Sequence, residues 1–417
     1  MANVQEYYAI ITKKFVLRTS HDEWLSATRE VYNEVLYFYY RLFLEYPEFH
    51  SLGNQKVLRA LERLSIVGRD KHPVPHPLPF KGVPLYFRRA AINAAVAAGR
   101  SYLAREGQER PTQAFEAGVT LYKGSYKALD GHSIQIKVWD GEGWRWLRGR
   151  LFGNTLPEGT DSLSPRLVFD DGGAELHVPV RQTVPDGRTL KARLGEDMKL
   201  CSVQFTNGDA IAVCCVLDRS GAVTAVRFLK GGKDYAHRCR RILARIEASQ
   251  KARGGRKGRK ADKRYWKRLK QVSDDMSHQV SRRIAAFCVE AGADVIVLPK
   301  YSKTFTKYVM ASVGNWSPLH LNHQIRTQLR YKAWQSGLLV LESEVSDIER
   351  RCAVCGGTVR KRGELYVCEN GHQGNRRINA AVNLGRKTWK SLDKHMSVRT
   401  QDVSGKDIVS IKNHRKL

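Results

Sequence analysis

The sequence predicts a multidomain protein that combines α/β and β architecture, and three observations support this class. Amphipathic patterns with helical spacing follow residue 20. Apolar and polar residues then alternate over 113–197, which is typical of short half-buried strands in a small β-barrel. Residues 199–345 return to strands that are separated by long helical runs, as in an α/β domain.

The first half of the chain begins with a strand pattern at 5–18. Three helical patterns follow it, at residues 20–42, 54–66 and 85–105. The third helix carries Arg88 and Arg89 near its start, and we predict that both contact nucleic acid. This half therefore places helices between the first strand and the strands of 113–197.

Aromatic and basic side chains are interleaved along the predicted barrel strands. Trp144 lies beside Arg145 and Arg148, in a stretch that also holds Trp139 and Trp146. Aromatic rings between cations suit stacking on nucleotide bases, so Trp144, Arg145 and Arg148 are predicted nucleic-acid contacts. A packed barrel core with a solvated rim explains the position of any single tryptophan equally well.

The charge balance indicates a polyanionic partner. The chain has 71 Lys and Arg against 41 Asp and Glu, a formal net charge of +30. Residues 251–270 alone hold eleven basic residues and one Asp. Such a run is either a solvated face or a phosphate-binding segment, and we favour phosphate contact because phosphates screen the mutual repulsion. The predicted contacts are Arg253, Arg256, Lys257, Arg259, Lys260, Lys263, Arg264, Lys267 and Arg268.

The cysteines and the apolar segments indicate a reducing compartment. The eight cysteines do not form the framework of a small disulfide-rich domain in a chain of 417 residues. The longest apolar run, at 210–217, is too short to span a bilayer, and the N-terminal segment has no apolar signal-peptide core. We therefore expect a cytoplasmic, nucleoid-associated protein that does not contact membranes.

The second half of the chain has the element order of a ribonuclease H-like fold. Three strand patterns at 199–230 precede a long helical stretch at about 234–291. A buried strand at 294–299, a helix that is opened by Ser317 with Pro at its first position, and a strand at 338–345 complete the order. Periodicity alone leaves this topology as one candidate.

Three cysteines and one histidine near the C-terminus are spaced like zinc ligands. Cys352 and Cys355 form a Cys-x-x-Cys knuckle, and Cys368 and His372 follow after a further hairpin-length segment. Two such pairs suit tetrahedral zinc, and four protein ligands leave no open position for a catalytic water. The sequence therefore predicts structural zinc; the alternative is a knuckle that has lost its metal.

The stretch RRCAVCGGTVRKRGELYVCENGHQGNRRINAAVNLG, residues 350–385, resembles the C-terminal end of the TnpB nucleases and the compact type V CRISPR effectors. In that family a zinc ribbon precedes a helix start of the form Asp-Arg-Asp-x-Asn-Ala-Ala. The upstream stretches IRTQLRYKAWQSGLLVLE and RRIAAFCVEAGADVIVL resemble the segments before the ribbon, and ELHVPV resembles the family's wedge barrel. The resemblance covers residues 113–390, and the N-terminal helices more loosely.

The resemblance implies a ribonuclease H-like RuvC domain with a zinc ribbon, and an N-terminal wedge β-barrel that carries a helical recognition insertion. The implied domains are the wedge barrel at 1–19 and 112–197, the recognition helices at 20–111, the RuvC-like domain at 198–346 and 374–390, the zinc ribbon at 347–373, and a basic tail at 391–417.

Strand cleavage in the family uses two Asp and one Glu that hold magnesium, which prefers hard oxygen ligands. This chain departs from the pattern at all three positions, where it has Gln204, Pro299 and Arg377. Asn379, in the family's helix start, anchors the placement of Arg377; the other two follow from an ungapped comparison of short strands. One positive charge replaces three negative ones, and a fixed cation repels metal ions at short range. We therefore expect no catalytic magnesium and no nuclease activity.

The resemblance implies that a guide RNA pairs with one strand of a double-stranded DNA target beside a short flanking motif. The three replacements predict binding without cleavage, as in the TnpB-like nuclease-dead repressors, and repression of transcription by promoter occupancy. Arg377 is predicted either to pair with a nucleic-acid phosphate or to be solvated. Two alternatives stay open: an adaptor that recruits a transposase or a sigma factor, and an endonuclease whose metal ligands have relocated, for example to Asp209 or Asp294. RNA polymerase or a recruited protein is the expected protein partner.

Overall fold

The computed structural model describes residues 7–68, 71–105, 115–157, 159–170, 173–195, 197–254 and 262–399. The contacts divide the chain into two compact units. The first is Ile10–Gln182, and the second combines Met1–Ala9 with Thr183–Leu417.

A seven-stranded sheet provides the β part of the first unit. Its strands are β1 (Tyr8–Thr19), β2 (Val119–Thr120), β3 (Tyr126–Lys127), β4 (Ser133–Trp139), β5 (Trp144–Phe152), β6 (Arg166–Asp170) and β7 (Gly173–Thr183). They lie in the order β2-β6-β7-β1-β5-β4-β3. β4 runs antiparallel to β5, from Ser133 opposite Arg150 to Trp139 opposite Trp144. The predicted alternation is present, since every second residue of β4 is buried.

Helices pack against this sheet and form the largest apolar core of the described residues. They are α1 (Asp22–Glu45), α2 (Asn54–Ser65) and α3 (Leu85–Leu103), with a short 3-10 turn at Pro47–Phe49. α1 and α3 approach closely at Gly99, where an added Cβ would lie 2.4 Å from a ring carbon of Phe43. A glycine therefore permits this helix contact.

The second unit contains a five-stranded mixed sheet. Its strands are β8 (Leu200–Phe205), β9 (Ala210–Leu217), β10 (Val223–Lys230), β11 (Val295–Lys300) and β12 (Leu339–Glu344). Their order is β10-β9-β8-β11-β12. The first three strands form an antiparallel meander, and β11 runs parallel to both β8 and β12. This is the ribonuclease H-like arrangement that the element order predicted.

Helices cover both faces of the second sheet. They are α4 (Leu190–Arg193), α5 (Gly232–Ala252), α6 (Lys263–Glu290), α7 (Lys303–Val313), α8 (Asn322–Gln335) and α9 (Arg376–Arg399), with a 3-10 turn at Pro318–Leu321 before α8. α6 and α8 pack on one face through Ile284 and Leu329, and α9 packs on the other through Ala380 and Leu384. The helical stretch predicted at about 234–291 is two helices.

Among the described residues, no helix combines the length and apolar character that a bilayer crossing requires.

The second unit begins at Thr183, before the sequence-based boundary at 197, and Arg193 supplies the physical reason. Its buried guanidinium donates hydrogen bonds to the carbonyl oxygens of Asp186 and Gly337, at 2.6 Å each, and of Asp294 at 3.3 Å. These contacts join the segment around α4 to the end of the second sheet.

A three-stranded antiparallel ribbon lies between β12 and α9 in the chain. Its strands are β13 (Val359–Arg362), β14 (Leu365–Cys368) and β15 (Gln373–Asn375), in the order β13-β14-β15.

Candidate metal centre and nucleic-acid interface

The four predicted zinc ligands converge at one end of the ribbon. The sulfur and ring-nitrogen atoms of Cys352, Cys355, Cys368 and His372 all lie within 4.8 Å of one another. The Cys355 and Cys368 sulfurs are 3.4 Å apart, and the Cys368 sulfur is 3.9 Å from His372 Nδ1. Tetrahedral zinc with Zn–S bonds of about 2.3 Å requires sulfurs about 3.8 Å apart, so the set fits this ion. Zinc held there would have a structural role, because the protein supplies all four ligands.

Backbone and amide N–H groups around the cysteines prepare this set for a cation. The N–H of Val354 points to the Cys352 sulfur at 3.4 Å, and the N–H of Asn370 points to the Cys368 sulfur at 3.2 Å. The side-chain amide of Asn370, the Gly357 N–H and the neighbouring thiols lower the pKa of Cys355 to about 6. Cys355 therefore favours the thiolate, which is the form that binds metal.

The start of α9 is tied to the first knuckle by one buried amide. Asn379 is 3% exposed; its side chain accepts a hydrogen bond from Ala353 N and donates one to Arg351 O, both at 2.8 Å. Asn375 caps the helix by accepting from the N–H groups of Arg377 and Ile378. The sequence analysis used Asn379 only to align the helix start, and the structure adds its contact with the metal knuckle.

The three positions that the resemblance aligns with the family's carboxylates, Gln204, Pro299 and Arg377, lie on β8, on β11 and at the start of α9. Ser202 on β8 pairs in register with Val297 on β11, and the Ser202 hydroxyl donates to Ala381 O of α9 at 2.7 Å. Gln204 and Pro299 follow two residues later on their strands, so alternation places both on the same face, toward α9. Arg377 lies one helical turn before Ala381 on α9.

Ion pairs fill the surroundings of these positions. The Gln204 amide donates to Glu349 at 3.4 Å, and Glu349 also pairs with Lys361 of β13 at 2.5 Å. Arg377 Nε lies 3.5 Å from Glu364, which also pairs with Arg376 at 3.2 Å. The Arg377 side chain is only 17% exposed. It therefore forms a partly buried ion pair with the β13–β14 turn rather than being solvated.

Tyr301 and Arg326 complete the same region. Burial raises the pKa of the Tyr301 hydroxyl to about 12, although the charges of Arg326 and Arg377 oppose the shift. The Arg326 guanidinium bonds Pro299 O and lies 5.6 Å from the centre of the Tyr301 ring. Two guanidinium groups thus border the face where the family pattern has carboxylates.

The acidic residues suggested as relocated ligands lie elsewhere. Asp294 precedes β11 and accepts a hydrogen bond from Lys199 N at 3.0 Å, at the opposite end of the strand from Pro299. Asp209 lies in the β8–β9 turn and accepts from Lys233 N. Within the described part of the chain, the ribbon set is the one group of three or more His, Cys, Asp or Glu side chains close enough to share an ion.

The structure separates the predicted basic contacts into three groups. Arg253 pairs with Asp262 at 2.5 Å and joins the facing ends of α5 and α6. On α6 the predicted contacts Lys263, Arg264, Lys267 and Arg268 are all exposed. The predicted contacts Arg256, Lys257, Arg259 and Lys260 lie outside the described residues.

The cations predicted in the first unit are largely occupied by acids. Arg88 and Arg89 both bind Glu62 at 3.0 Å, which holds α2 against α3. Arg145 pairs with Asp140 across the β4–β5 turn. Arg148 is exposed on β5 and stays available for a phosphate.

Trp144 is packed, whereas Trp146 is open. The Trp144 ring contacts Phe87 of α3 at 4.7 Å and Trp139 at 5.7 Å between ring centres. Trp146 is 42% exposed, and the ammonium of Lys127 lies 4.4 Å above its ring. On this face Trp146 is therefore the accessible ring, whereas Trp144 is packed. Sequence reasoning missed it because the two tryptophans share one strand face, and only α3 distinguishes them by covering Trp144.

Comparisons with known proteins agree with this architecture. Residues 323–384 match the family model of the Cas12f1-like TNB domain, and residues 9–140 match that of the Aq_aa04 family. A Cas12f1–sgRNA–target DNA complex matches with a TM-score of 0.56 and 12% identity, over 87% of this chain and 81% of that chain. The mini-RNA-guided endonuclease CRISPR-Cas_phi3 matches with a TM-score of 0.56 and 9% identity, over 92% of both chains. No curated protein matches by sequence. The resemblance to compact type V effectors and the fold class are confirmed.

Proposed function

We propose that this protein binds double-stranded DNA under the direction of a guide RNA and does not cleave it. The proposal is based on the Cas12f1-like TNB domain and on the fold shared with the compact type V effectors. One structural relative is described in complex with sgRNA and target DNA, and another as an RNA-guided endonuclease. The net charge of +30 and the exposed cations of α6 support a nucleic-acid partner. Sequence recognition would come from pairing between guide RNA and DNA.

The absence of cleavage is proposed from one observation, the set of side chains around Gln204, Pro299 and Arg377. None of the three offers a carboxylate, and magnesium requires hard oxygen ligands. Three acids in this region, Glu342, Glu349 and Glu364, are already paired with basic side chains. These residues do not fit a catalytic magnesium site.

The consequence that we propose is repression of transcription in the cytoplasm, at the nucleoid. A protein that stays on its guided target without cutting it would occlude a promoter from RNA polymerase. The structural zinc of the ribbon would hold the start of α9 in position, because Asn379 joins that helix to the knuckle.

Sequencing of copurified RNA tests the proposal. We expect a discrete small RNA with a variable end, and binding of a DNA duplex that matches this end. A matched duplex should be bound at least tenfold more tightly than a scrambled duplex of equal length and at equal salt. Purified protein without discrete RNA, or equal binding of both duplexes, contradicts guided binding.

A matched plasmid with magnesium or manganese tests the cleavage part separately. The guided complex should leave the plasmid supercoiled. Nicking or linearisation would favour the endonuclease alternative, with Glu349 as the first residue to substitute because it lies beside Gln204. Capture of a transposase or a sigma factor by the guided complex would instead favour the adaptor alternative.

A further inference from the structure

A cleft of about 860 Å³ opens at the start of α5. Residues 207–209 of the β8–β9 turn, one face of α5 and the loop 313–318 enclose it, and we call it the α5 cleft. Its volume lies within the range of roughly 300–1,000 Å³ that is usual for small-molecule sites. The backbones of α5 and the turn are in direct contact there, because a Cβ on Gly232 would lie 2.0 Å from Gly208 O. This side of the cleft is therefore built from closely packed backbone.

Two cations and a histidine line the helical side of the α5 cleft. Lys233, His237 and Arg240 recur at spacings of four and three residues, so they lie on one face of α5. All three are exposed, and among the described residues none of them has an ion-pair partner. The only acid in the lining is Asp209, which accepts a hydrogen bond from the backbone N–H of Lys233 at 3.4 Å. The α5 cleft therefore favours an anionic ligand.

The opposite side of the α5 cleft is aromatic and apolar. Trp316 lines this side, and its ring lies 6.5 Å from the ring of Trp266, which is 41% exposed. Leu243 adds an apolar side chain from α5 itself. Ser317 fixes the loop by accepting a hydrogen bond from His320 N, with Pro318 at the start of the 3-10 turn. An aromatic wall opposite a row of cations is the combination that binds a base and its phosphate together.

We propose that the α5 cleft binds one unpaired nucleotide of a single-stranded nucleic acid. Its base stacks on Trp316, and its phosphates face Lys233 and Arg240. The inference rests on the proposed function, because RNA-guided binding displaces one DNA strand and leaves its bases unpaired. An unpaired segment of the guide RNA offers the same chemistry, so the experiment has a DNA arm and an RNA arm.

Fluorescence anisotropy with labelled oligo-dT and oligo-rU tests the α5 cleft in the full-length protein. Trp316→Ala should weaken binding by about fivefold or more, the loss expected for one stacked base, while Trp316→Phe should keep most of the affinity. Lys233→Ala with Arg240→Ala should lower the salt slope by roughly one to two. The charge-matched control is Arg360→Ala with Arg362→Ala on the exposed strand β13, which leaves the Trp316-dependent part of the affinity unchanged. The arm with the larger Trp316 effect identifies DNA or RNA as the source.

Crosslinking gives a readout that a structural defect would not imitate. Oligonucleotides that contain 5-iodouracil should crosslink to Trp316 or Trp266, and mass spectrometry should locate the adduct. Zinc content and melting temperature of each variant must equal those of the wild type. Adducts elsewhere, together with unchanged affinity of Trp316→Ala in both arms, overturn the inference. If only the inference about the α5 cleft fails, the wild-type protein still carries guide RNA and binds its target. If the proposed function fails, the wild-type protein carries no guide RNA.

Discussion

The zinc-ligand cluster of the ribbon and the region around Gln204, Pro299 and Arg377 differ in where their positive charge comes from. At the ribbon, sulfur and nitrogen ligands converge within 4.8 Å, and nearby N–H groups favour a thiolate. Around the family's carboxylate positions, Arg377 and Arg326 supply the positive charge themselves, and Glu364 and Glu342 neutralise it. The first region offers four ligands to a metal ion, whereas in the second the guanidinium groups are paired with acids of the chain. Both regions depend on the start of α9, so substitutions there can separate their roles.

Loss of zinc should have the largest effect. Structural zinc contributes on the order of 10 kcal/mol to the folding of small zinc domains, so Cys352→Ser or chelation should unfold the ribbon. We expect one zinc ion per chain in the wild type and none in the variant, with a large drop in melting temperature. Cys239→Ala, a buried thiol of the second unit outside the ribbon, is the control and should retain full zinc. Full zinc in Cys352→Ser would show that this cysteine is not a ligand.

Asn379→Ala should have the next largest effect, about 1–3 kcal/mol, because it leaves the partly buried Ala353 N–H without its partner, while Arg351 O keeps the hydrogen bond from Asn383. Chemical denaturation measures the cost, and zinc release to a chelator should become faster. Thr388→Val removes a hydroxyl from the same helix, away from the knuckle, and should not change zinc release. Equal zinc release from both variants would mean that Asn379 does not couple α9 to the ribbon.

Arg377→Ala should have a smaller effect, about 1 kcal/mol or less, because Glu364 is 67% exposed and solvent screens the pair. The salt slope of DNA binding should stay unchanged, since the guanidinium is already paired. Arg376→Ala is the matched control, because Arg376 shares the same acid. A slope that falls by about one only in Arg377→Ala would instead assign a phosphate contact to Arg377.

Glu349→Gln should have the smallest effect, below about 0.5 kcal/mol, because the side chains of Glu349 and Lys361 are both more than a third exposed. A double-mutant cycle with Lys361→Met measures the coupling. The double variant Gln204→Asp with Arg377→Asp tests the same region with magnesium. We expect magnesium to raise the melting temperature of this variant and to leave that of the wild type unchanged. A coupling energy above about 2 kcal/mol between Glu349 and Lys361 would contradict the weak, solvent-screened pair that their exposed side chains indicate.

The zinc site was predictable from sequence because its ligands lie within 21 residues of one another and their spacing alone defines two knuckles. For the second unit, the element order made a ribonuclease H-like strand order one candidate, and the structure has that order. A hairpin meander and a parallel crossover leave few arrangements open once the helices are placed. Local patterns indicated the α/β and β character of the chain, whereas the resemblance to the compact type V effectors implied the RuvC-like domain and the wedge barrel.

The sequence did not show which side chains are already paired or buried, and only the tertiary structure did. Arg88, Arg89 and Arg145 look like free cations in the sequence, but Glu62 and Asp140 neutralise them. Trp144 and Trp146 are equivalent on their strand until α3 covers one of them.

The sequence by itself thus determined which elements form, where a metal ion can bind, and that the chain carries excess positive charge. Only the tertiary structure decided that Arg377 faces Glu364. It also decided that Lys233, His237 and Arg240 line one cleft with Trp316 and have no ion-pair partner among the described residues. Ion pairing and burial depend on partners far away in the chain, whereas secondary structure and knuckle spacing depend on neighbours.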